Sequence, residues 1–298
     1  MQSTKPTVGV IGLGAMGRPA AAALARRFPV AGYDPVRTAL DAAVQDGVVG
    51  YDSPAATAAA ADLIVLSLPT PAVVRSVVDD LGRSADGKII ADLSTIDPGT
   101  AREVAAALEP SGTRYLDAPV LGRPASCGNW TLPCGGDETA VEAFAEVAIG
   151  TIAAAVERVG TVGSGATLKV CNNLMFASIN TITAEVVDLA ERAGVDPAVF
   201  ARVVGGSGAA TVSGLFNDIA PRMAEHRYAD PTFAIRLLAK DVGLGAELAA
   251  SLQRDLPVTR IVKDITDCAV RQGLGDLDTA AVVETYRDQP TLRQNGPD

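Results

Sequence analysis

One histidine, His226, serves the whole 298-residue chain, so the side chain that most often moves protons in enzymes is almost missing. Any acid/base chemistry must fall mainly on other residues. Cysteine is equally sparse. Cys127, Cys134, Cys171 and Cys268 show no CxxC spacing, which points to neither a zinc site nor a disulfide framework. Reduced thiols in a cytoplasmic protein are the expectation. There is no basic run, and the formal charge of −10 argues against nucleic acid and anionic membranes as partners. No long apolar run occurs either. The most apolar stretch, residues 55–69, contains Thr57 and Asp62 and is too short to span a bilayer. Arg18, Arg26 and Arg27 break up the one segment that could pass for a signal peptide. Aromatic residues make up 4% while alanine is abundant, a composition that favours closely packed helices.

Apolar residues at 48% and charged residues at 20% describe an ordinary soluble globular chain, long enough for two domains. The first half alternates short β-branched runs with alanine-rich helical patterns. Strands are expected at 7–11, 30–33, 63–68, 88–93, around Tyr115-Leu116 and at 131–134. Helices are expected at 15–27, 36–45, from Ser53-Pro54, at 71–81 and at 98–108. Near-continuous apolar strands between helices imply a mostly parallel sheet covered on both faces, an α/β doubly wound architecture. From residue 166 to 193 runs a helical stretch without proline or internal glycine. Only helical patterns follow, at 197–204, 212–224, 231–252, 258–272 and 279–286. The expected division is an N-terminal domain over 1–162 and an all-helical domain over 163–298.

The segment from Gly160 to Asn173 carries the chain's most informative pattern. A glycine-rich turn enters a helix that bears Lys169 and, three and four residues on, Asn172 and Asn173. Those spacings set the three side chains on neighbouring positions of one face. A cation beside a carboxamide can hold a polar substrate and pass it a proton. Hydride transfer to a carbonyl builds negative charge on oxygen, and an ammonium can hydrogen-bond that oxygen and protonate it. In the reverse direction the neutral amine accepts the hydroxyl proton. A free lysine, with a pKa of about 10.4, needs a partly dry surrounding to act as that base at neutral pH. Cys171, one helical step away from this face, reads as a core thiol, and His226 reads as part of a polar connection between helices.

Gly12-Leu13-Gly14-Ala15-Met16-Gly17 joins the first expected strand to the first helix, the context that a dinucleotide-binding turn requires. Gly12 allows the tight turn, Gly14 lets a pyrophosphate approach the backbone, and Gly17 lets helix and strand pack closely. Asp34 ends the second strand about twenty residues later, where a carboxylate accepts from ribose hydroxyls. That favours NAD over NADP, though Arg37 three residues on keeps NADP open.

These motifs, with Asp92-Leu93-Ser94-Thr95, Asp117-Ala118-Pro119-Val120, the Gly163 to Asn173 segment and Lys240-Asp241, resemble the β-hydroxyacid dehydrogenase family in sequence and order. That family includes 3-hydroxyisobutyrate dehydrogenase and tartronate semialdehyde reductase. The resemblance implies an N-terminal Rossmann domain, a helical C-terminal domain, a cleft between them, and a homodimer or homotetramer assembled through the helical domains. It makes Lys169 the catalytic lysine and Asn173 a substrate-binding asparagine. It also sets Leu68, Pro69 and Thr95 along the cofactor, with Lys240 reaching it from the other domain. The implied reaction is hydride exchange between NAD(P) and a small 3-hydroxy acid or its semialdehyde. Imine reductases share both domains but typically lack the lysine, and a catalytically silent cofactor-binding scaffold is the non-enzymatic alternative.

The chain departs from the family at Leu121-Gly122-Arg123, where Ser-Gly-Gly is common. The serine hydroxyl that helps hold a substrate carboxylate is absent. Either Arg123, beside Gly122, takes over the carboxylate through its two-pronged guanidinium, or Leu121 packs on a more apolar substrate.

Overall fold

A computed structural model describes residues 5–208 and 213–287 of the chain. Its first part alternates strand and helix: β1 (Val8–Ile11), α1 (Gly17–Ala25), β2 (Val30–Tyr33), α2 (Arg37–Gln45), β3 (Val49–Gly50), α3 (Pro54–Ala59) and β4 (Leu63–Leu66). There follow α4 (Pro71–Leu81), β5 (Ile89–Asp92), α5 (Pro98–Leu108), β6 (Arg114–Asp117), β7 (Trp130–Gly135), α6 (Glu138–Ala148) and β8 (Ala153–Gly160). The strands form one eight-stranded sheet in the order β3-β2-β1-β4-β5-β6-β7-β8. Every pairing is parallel except β6 with β7.

The apolar strands explain the layers. All residues of β1, β4 and β5 are buried, so helices must cover both faces. Alternation along β4 sends Leu63 and Val65 into one core, with Val8, Val10 and Phe144, and Ile64 and Leu66 into the other, with Ile11, Val74 and Ile90. The helices start where the sequence supplies caps. Ser53, Thr70 and Asp97 each precede a proline, and their side chains accept the amides of Ala56, Val73 and Thr100.

Three elements were absent from the sequence reading. The two-residue β3 is too short to alternate. Strand β8 lies at the sheet edge with most residues exposed or half-buried, so no apolar run marks it. Helix α6 does carry a signal, because Asp137 caps it and Ala140, Val141, Phe144, Val147 and Ala148 form a buried stripe.

Helix α7 (Ser164–Arg192) is 29 residues long. Close packing divides the chain after Val170, inside α7, into units Met1–Val170 and Cys171–Asp298. The second unit continues with α8 (Pro197–Gly206), α9 (Gly214–Ala224), α10 (Ile235–Ser251), α11 (Pro257–Arg271) and α12 (Glu284–Arg287). Residues 231–234 precede α10 rather than belonging to it, and Thr279–Val283 is a 3-10 turn rather than α-helix. The expected start at Val212 lies outside the described residues. Among the described residues, buried clusters around Val187, Ile219, Met223 and Ile235, around Ala177, Leu238, Val242 and Val262, and around Ala201, Phe216 and Ala220 hold this unit together.

The glycines of the first turn differ in what they tolerate. A methyl on Gly17 would lie 1.8 Å from the carbonyl oxygen of Gly12, whereas one on Gly14 would meet nothing within 4 Å. Gly17→Ala should therefore destabilise the protein by about 3 kcal/mol, as overpacking against backbone does. Gly14→Ala should change stability by only about 0.5 kcal/mol. Urea unfolding of both variants checks this, and equal effects would contradict the packing argument.

Candidate active site

The site begins where β1 ends. Gly12 has a positive φ of 91°, and a side chain there would come 2.2 Å from the Ser67 carbonyl, so only glycine fits. Gly14 is unobstructed and opens on a cavity of about 570 Å³ bordered also by Leu13, Ala15, Arg18, Thr38 and Ala39. No side chain caps the start of α1; its Arg18 amide donates to the Gly14 carbonyl at 3.0 Å and Pro19 has no N–H, so an incoming anion meets the amides of the preceding turn. Asp34 is tied to the same turn. Its carboxylate accepts the Leu13 amide at 2.7 Å and the Val36 amide at 2.8 Å, and each oxygen keeps lone pairs for further donors. Arg37 is exposed and pairs with Asp41 at 2.9 Å, a local helix contact.

Beyond β4 and β5 a buried chain of hydrogen bonds sets the next loops. The Leu68 amide donates to Ser94 Oγ at 2.8 Å. The Ser94 amide donates to Asp92 Oδ1 at 2.8 Å, and the Tyr115 hydroxyl donates to Asp92 Oδ2 at 2.6 Å. Burial raises the pKa of Asp92 against these bonds and pushes the Tyr115 hydroxyl well above its ordinary range. Thr95, half-buried, follows Ser94 directly, and Pro69 stands exposed after Leu68. Thr95 does not cap α5, because Asp97 does.

The loop after β6 is braced from behind. Leu121 pairs with Thr131, the buried Trp130 donates its indole N–H to the Arg123 carbonyl at 2.7 Å, and Ser126 bonds the Arg123 backbone. A methyl on Gly122 would strike Trp130 Cδ1 at 2.4 Å. Arg123 is half-buried and Gly122 exposed.

Lys169 stands half-buried in α7, and its Nζ donates to the Val120 carbonyl at 2.8 Å. Just upstream, Asp117 at the end of β6 accepts the Gly163 amide at 2.8 Å and the Ala166 amide at 2.7 Å. Burial outweighs both bonds and pushes the Asp117 carboxyl up to about 6. In the second unit, the buried Asn173 donates its Nδ2 to Asp241 Oδ2 at 2.6 Å, and Lys240 pairs with Asp241 Oδ1 at 2.9 Å. The expected residues therefore gather in two groups, one per unit. Ser94, Asp117 and Asp241, which the sequence shows only as parts of motifs with no role of their own, and Trp130, which no motif marks, are what hold them. Cys171 is a correction. It is exposed, not a core thiol, because it shares the outer side of α7 with Leu168 and Met175. His226 lies between α9 and α10 and faces Glu284, as a connection residue should. Among the described residues no cluster of His, Cys, Asp and Glu could hold a metal ion, and no helix is long and apolar enough to cross a membrane.

A glycine turn between β1 and α1, answered by a carboxylate at the end of β2, defines a dinucleotide-binding Rossmann domain. Residues 7–162 match the model of the NAD binding domain of 6-phosphogluconate dehydrogenase. Residues 163–286 match that for NAD-binding of NADP-dependent 3-hydroxyisobutyrate dehydrogenase. The chain is 31% identical to the mitochondrial 3-hydroxyisobutyrate dehydrogenase of Rattus norvegicus, over 97% of this chain and 90% of that one. The structure of 3-hydroxyisobutyrate dehydrogenase from Salmonella typhimurium superposes with a TM-score of 0.86 at 30% identity, covering 94% of this chain and 99% of that one. The Mycobacterium tuberculosis enzyme, solved with L-serine, gives 0.84 at 31% identity, covering 95% and 99%. The chain belongs to the β-hydroxyacid dehydrogenase family and is an NAD(P)-dependent oxidoreductase acting on CH–OH groups.

The buried carboxylate has a consequence for stability. Because the Asp117 pKa is raised on folding, from the usual 3.8 to about 6, the folded state binds more protons than the unfolded state between those values. Its contribution to stability is thus greatest in acid and is lost as pH rises through about 6. Asp117→Asn removes this dependence. Measured by urea unfolding, the variant should gain about 2 kcal/mol relative to wild type between roughly pH 4.5 and 7.5. A flat difference would show that the carboxyl titrates normally.

Proposed function

We propose that this protein interconverts a small 3-hydroxy acid and its semialdehyde with NAD, NADP remaining the second choice. The glycine turn from Gly12 through Leu13, Gly14, Ala15 and Met16 to Gly17 would take the pyrophosphate on its own amides, at the N-terminus of α1. Asp34 accepts from the adenosine ribose, and the amide it already binds, that of Leu13, keeps it beside the turn. Its charge disfavours a 2′-phosphate, and Arg37 is occupied with Asp41. Leu68, Pro69 and Thr95 border the nicotinamide half, and Lys240 contributes from the helical domain, which we take as residues 163–298. The chemistry that a bound dinucleotide would supply is hydride exchange with the carbinol carbon.

Lys169 manages the proton. In oxidation its neutral amine takes the hydroxyl proton while the C–H hydride leaves; in reduction its ammonium protonates the carbonyl oxygen. Asn173, one turn further along α7, binds the same oxygen. Its amide is oriented by Asp241, which takes an Nδ2 hydrogen, and by Asn172 Nδ2, which donates to Oδ1 at 3.2 Å and leaves that oxygen a second lone pair for a hydroxyl. Arg123, with the Gly122 backbone, binds the substrate carboxylate in place of the absent serine. The observation that carries this reading is the 2.8 Å hydrogen bond from Lys169 Nζ to the Val120 carbonyl. It brings the proton carrier to the segment that continues into Leu121-Gly122-Arg123. That the relatives named above are 3-hydroxyisobutyrate dehydrogenases, one solved with a hydroxylated amino acid, supports the same substrate class.

Met175, Ile182 and Leu189 repeat every seventh residue along α7 and are 66%, 53% and 64% exposed, which supports a homodimer or homotetramer built on this helix. Four free cysteines fit a reducing, cytoplasmic setting.

Assaying a panel of 3-hydroxy acids, semialdehydes and imines with both dinucleotides tests the reading. Lys169→Ala should cut kcat by about a thousandfold or more while NADH affinity, followed by fluorescence titration, stays within about twofold. Persistent turnover would remove Lys169 from the chemistry. Arg123→Ala should raise KM for acidic substrates by about tenfold to a hundredfold, with no effect on uncharged aldehydes. An unchanged KM for every acid would favour the apolar-substrate alternative at Leu121.

A further inference from the structure

Asp117 is a deeply buried carboxylate, 1% exposed, to which the chemistry above gives no task. It lies at the end of β6, and both of its oxygens are committed to the start of α7. Oδ1 accepts the Gly163 amide and Oδ2 accepts the Ala166 amide. Ordinary helix caps are supplied by a residue a few positions before the helix; this one comes from 46 and 49 residues upstream, across the sheet. The fit around it is tight. A methyl on Gly165 would lie 2.4 Å from the Asp117 carbonyl oxygen and 2.5 Å from that of Pro133, and one on Gly135 would lie 2.5 Å from Asp117 Oδ1. The first turn of α7 thus rests backbone against backbone on the ends of β6 and β7.

The same short segment also holds the second turn. Three residues after Asp117, the Val120 carbonyl accepts Lys169 Nζ, and Lys169 is three residues after Ala166. Residues 117–120 therefore grip α7 twice, by its free amides and by its lysine. We infer that Asp117 is a positioning residue: by pinning the first turn of α7 to the end of β6 it sets where the Lys169 ammonium stands. This rests on the proposed role of Lys169. A lysine stem is long and flexible, so its head is located only as well as the helix that carries it and the acceptor it meets. Displacing that helix by about 1 Å can cost about a hundredfold in rate. Stability is a poor account of the same carboxylate, since burial, with the Asp92 charge nearby, opposes its ionisation.

Asp117→Asn keeps the shape but turns an N–H₂ group toward one of the two amides, so one bond is lost and two donors face each other. The variant should bind NADH at wild-type stoichiometry with a Kd within about twofold, yet lose at least tenfold in kcat on the best 3-hydroxy acid of the panel. Gly165→Ala, which leaves the carboxylate intact and pushes on the helix, should give the same pattern by a separate route. The decisive comparison uses Lys169→Ala rescued with ethylamine. There the proton carrier is no longer attached to α7, so adding Asp117→Asn should cause no further loss, whereas a general structural defect would cost the same factor in both backgrounds. A kcat for Asp117→Asn within twofold of wild type, or equal losses in the two backgrounds, overturns the inference while the role of Lys169 stands. An active Lys169→Ala without amine overturns that role, and this inference with it.

Discussion

Two hydrogen bonds from one buried carboxylate, Asp117 to the amides of Gly163 and Ala166, join the last strand of the parallel run to the longest helix of the protein. Helix α7 begins in the Rossmann unit, and its starting point governs where Lys169 stands in that unit. A helix start must find acceptors for its amides or leave them to water. Here the acceptor is a side chain whose own backbone leads directly into the loop of Val120 and Arg123. Capping the helix and locating its lysine thereby become one structural event, and the close glycine contacts at 135 and 165 leave the helix little room to sit elsewhere.

The same economy recurs around the sheet. Several groups expected at the site are held by neighbours that restrain them. Leu13 and Asp34 bind each other, Ser94 holds the Leu68 amide and is itself held by Asp92, and Trp130 secures the carbonyl of Arg123. In the helical unit Asp241 orients Asn173 and pairs with Lys240. Buried polar groups of this kind are costly unless satisfied, and satisfying them by way of specific partners is what fixes the loops that carry the chemistry.

Much of this was readable in advance where the signal is local. The glycine turn announces itself because its spacing, its strand before and its helix after are all contiguous. The starts of α3, α4 and α5 were legible for the same reason, as hydroxyl or carboxylate caps followed by proline. Edge strand β8 was not, because exposed positions need not be apolar. Helix α6 was legible but overlooked. Cys171 was misjudged because helical spacing tells which residues share a face, not which face is covered; the exposed side of α7 carries Leu168, Met175, Ile182 and Leu189 as well.

By itself the sequence determined the alternating architecture, the all-helical second half, the dinucleotide turn with Asp34, and the lysine–asparagine helix. All are patterns within a few tens of residues, set by periodicity, backbone sterics and capping. Only the tertiary structure decided which long-range partners complete them: Asp117 with α7, Ser94 with Leu68, Trp130 with Arg123, Asp241 with Asn173. Those pairs lie between 7 and 68 residues apart and obey no period. They exist because a buried donor must find whatever acceptor the packed sheet and helices bring within 3 Å, and that is a property of the fold as a whole.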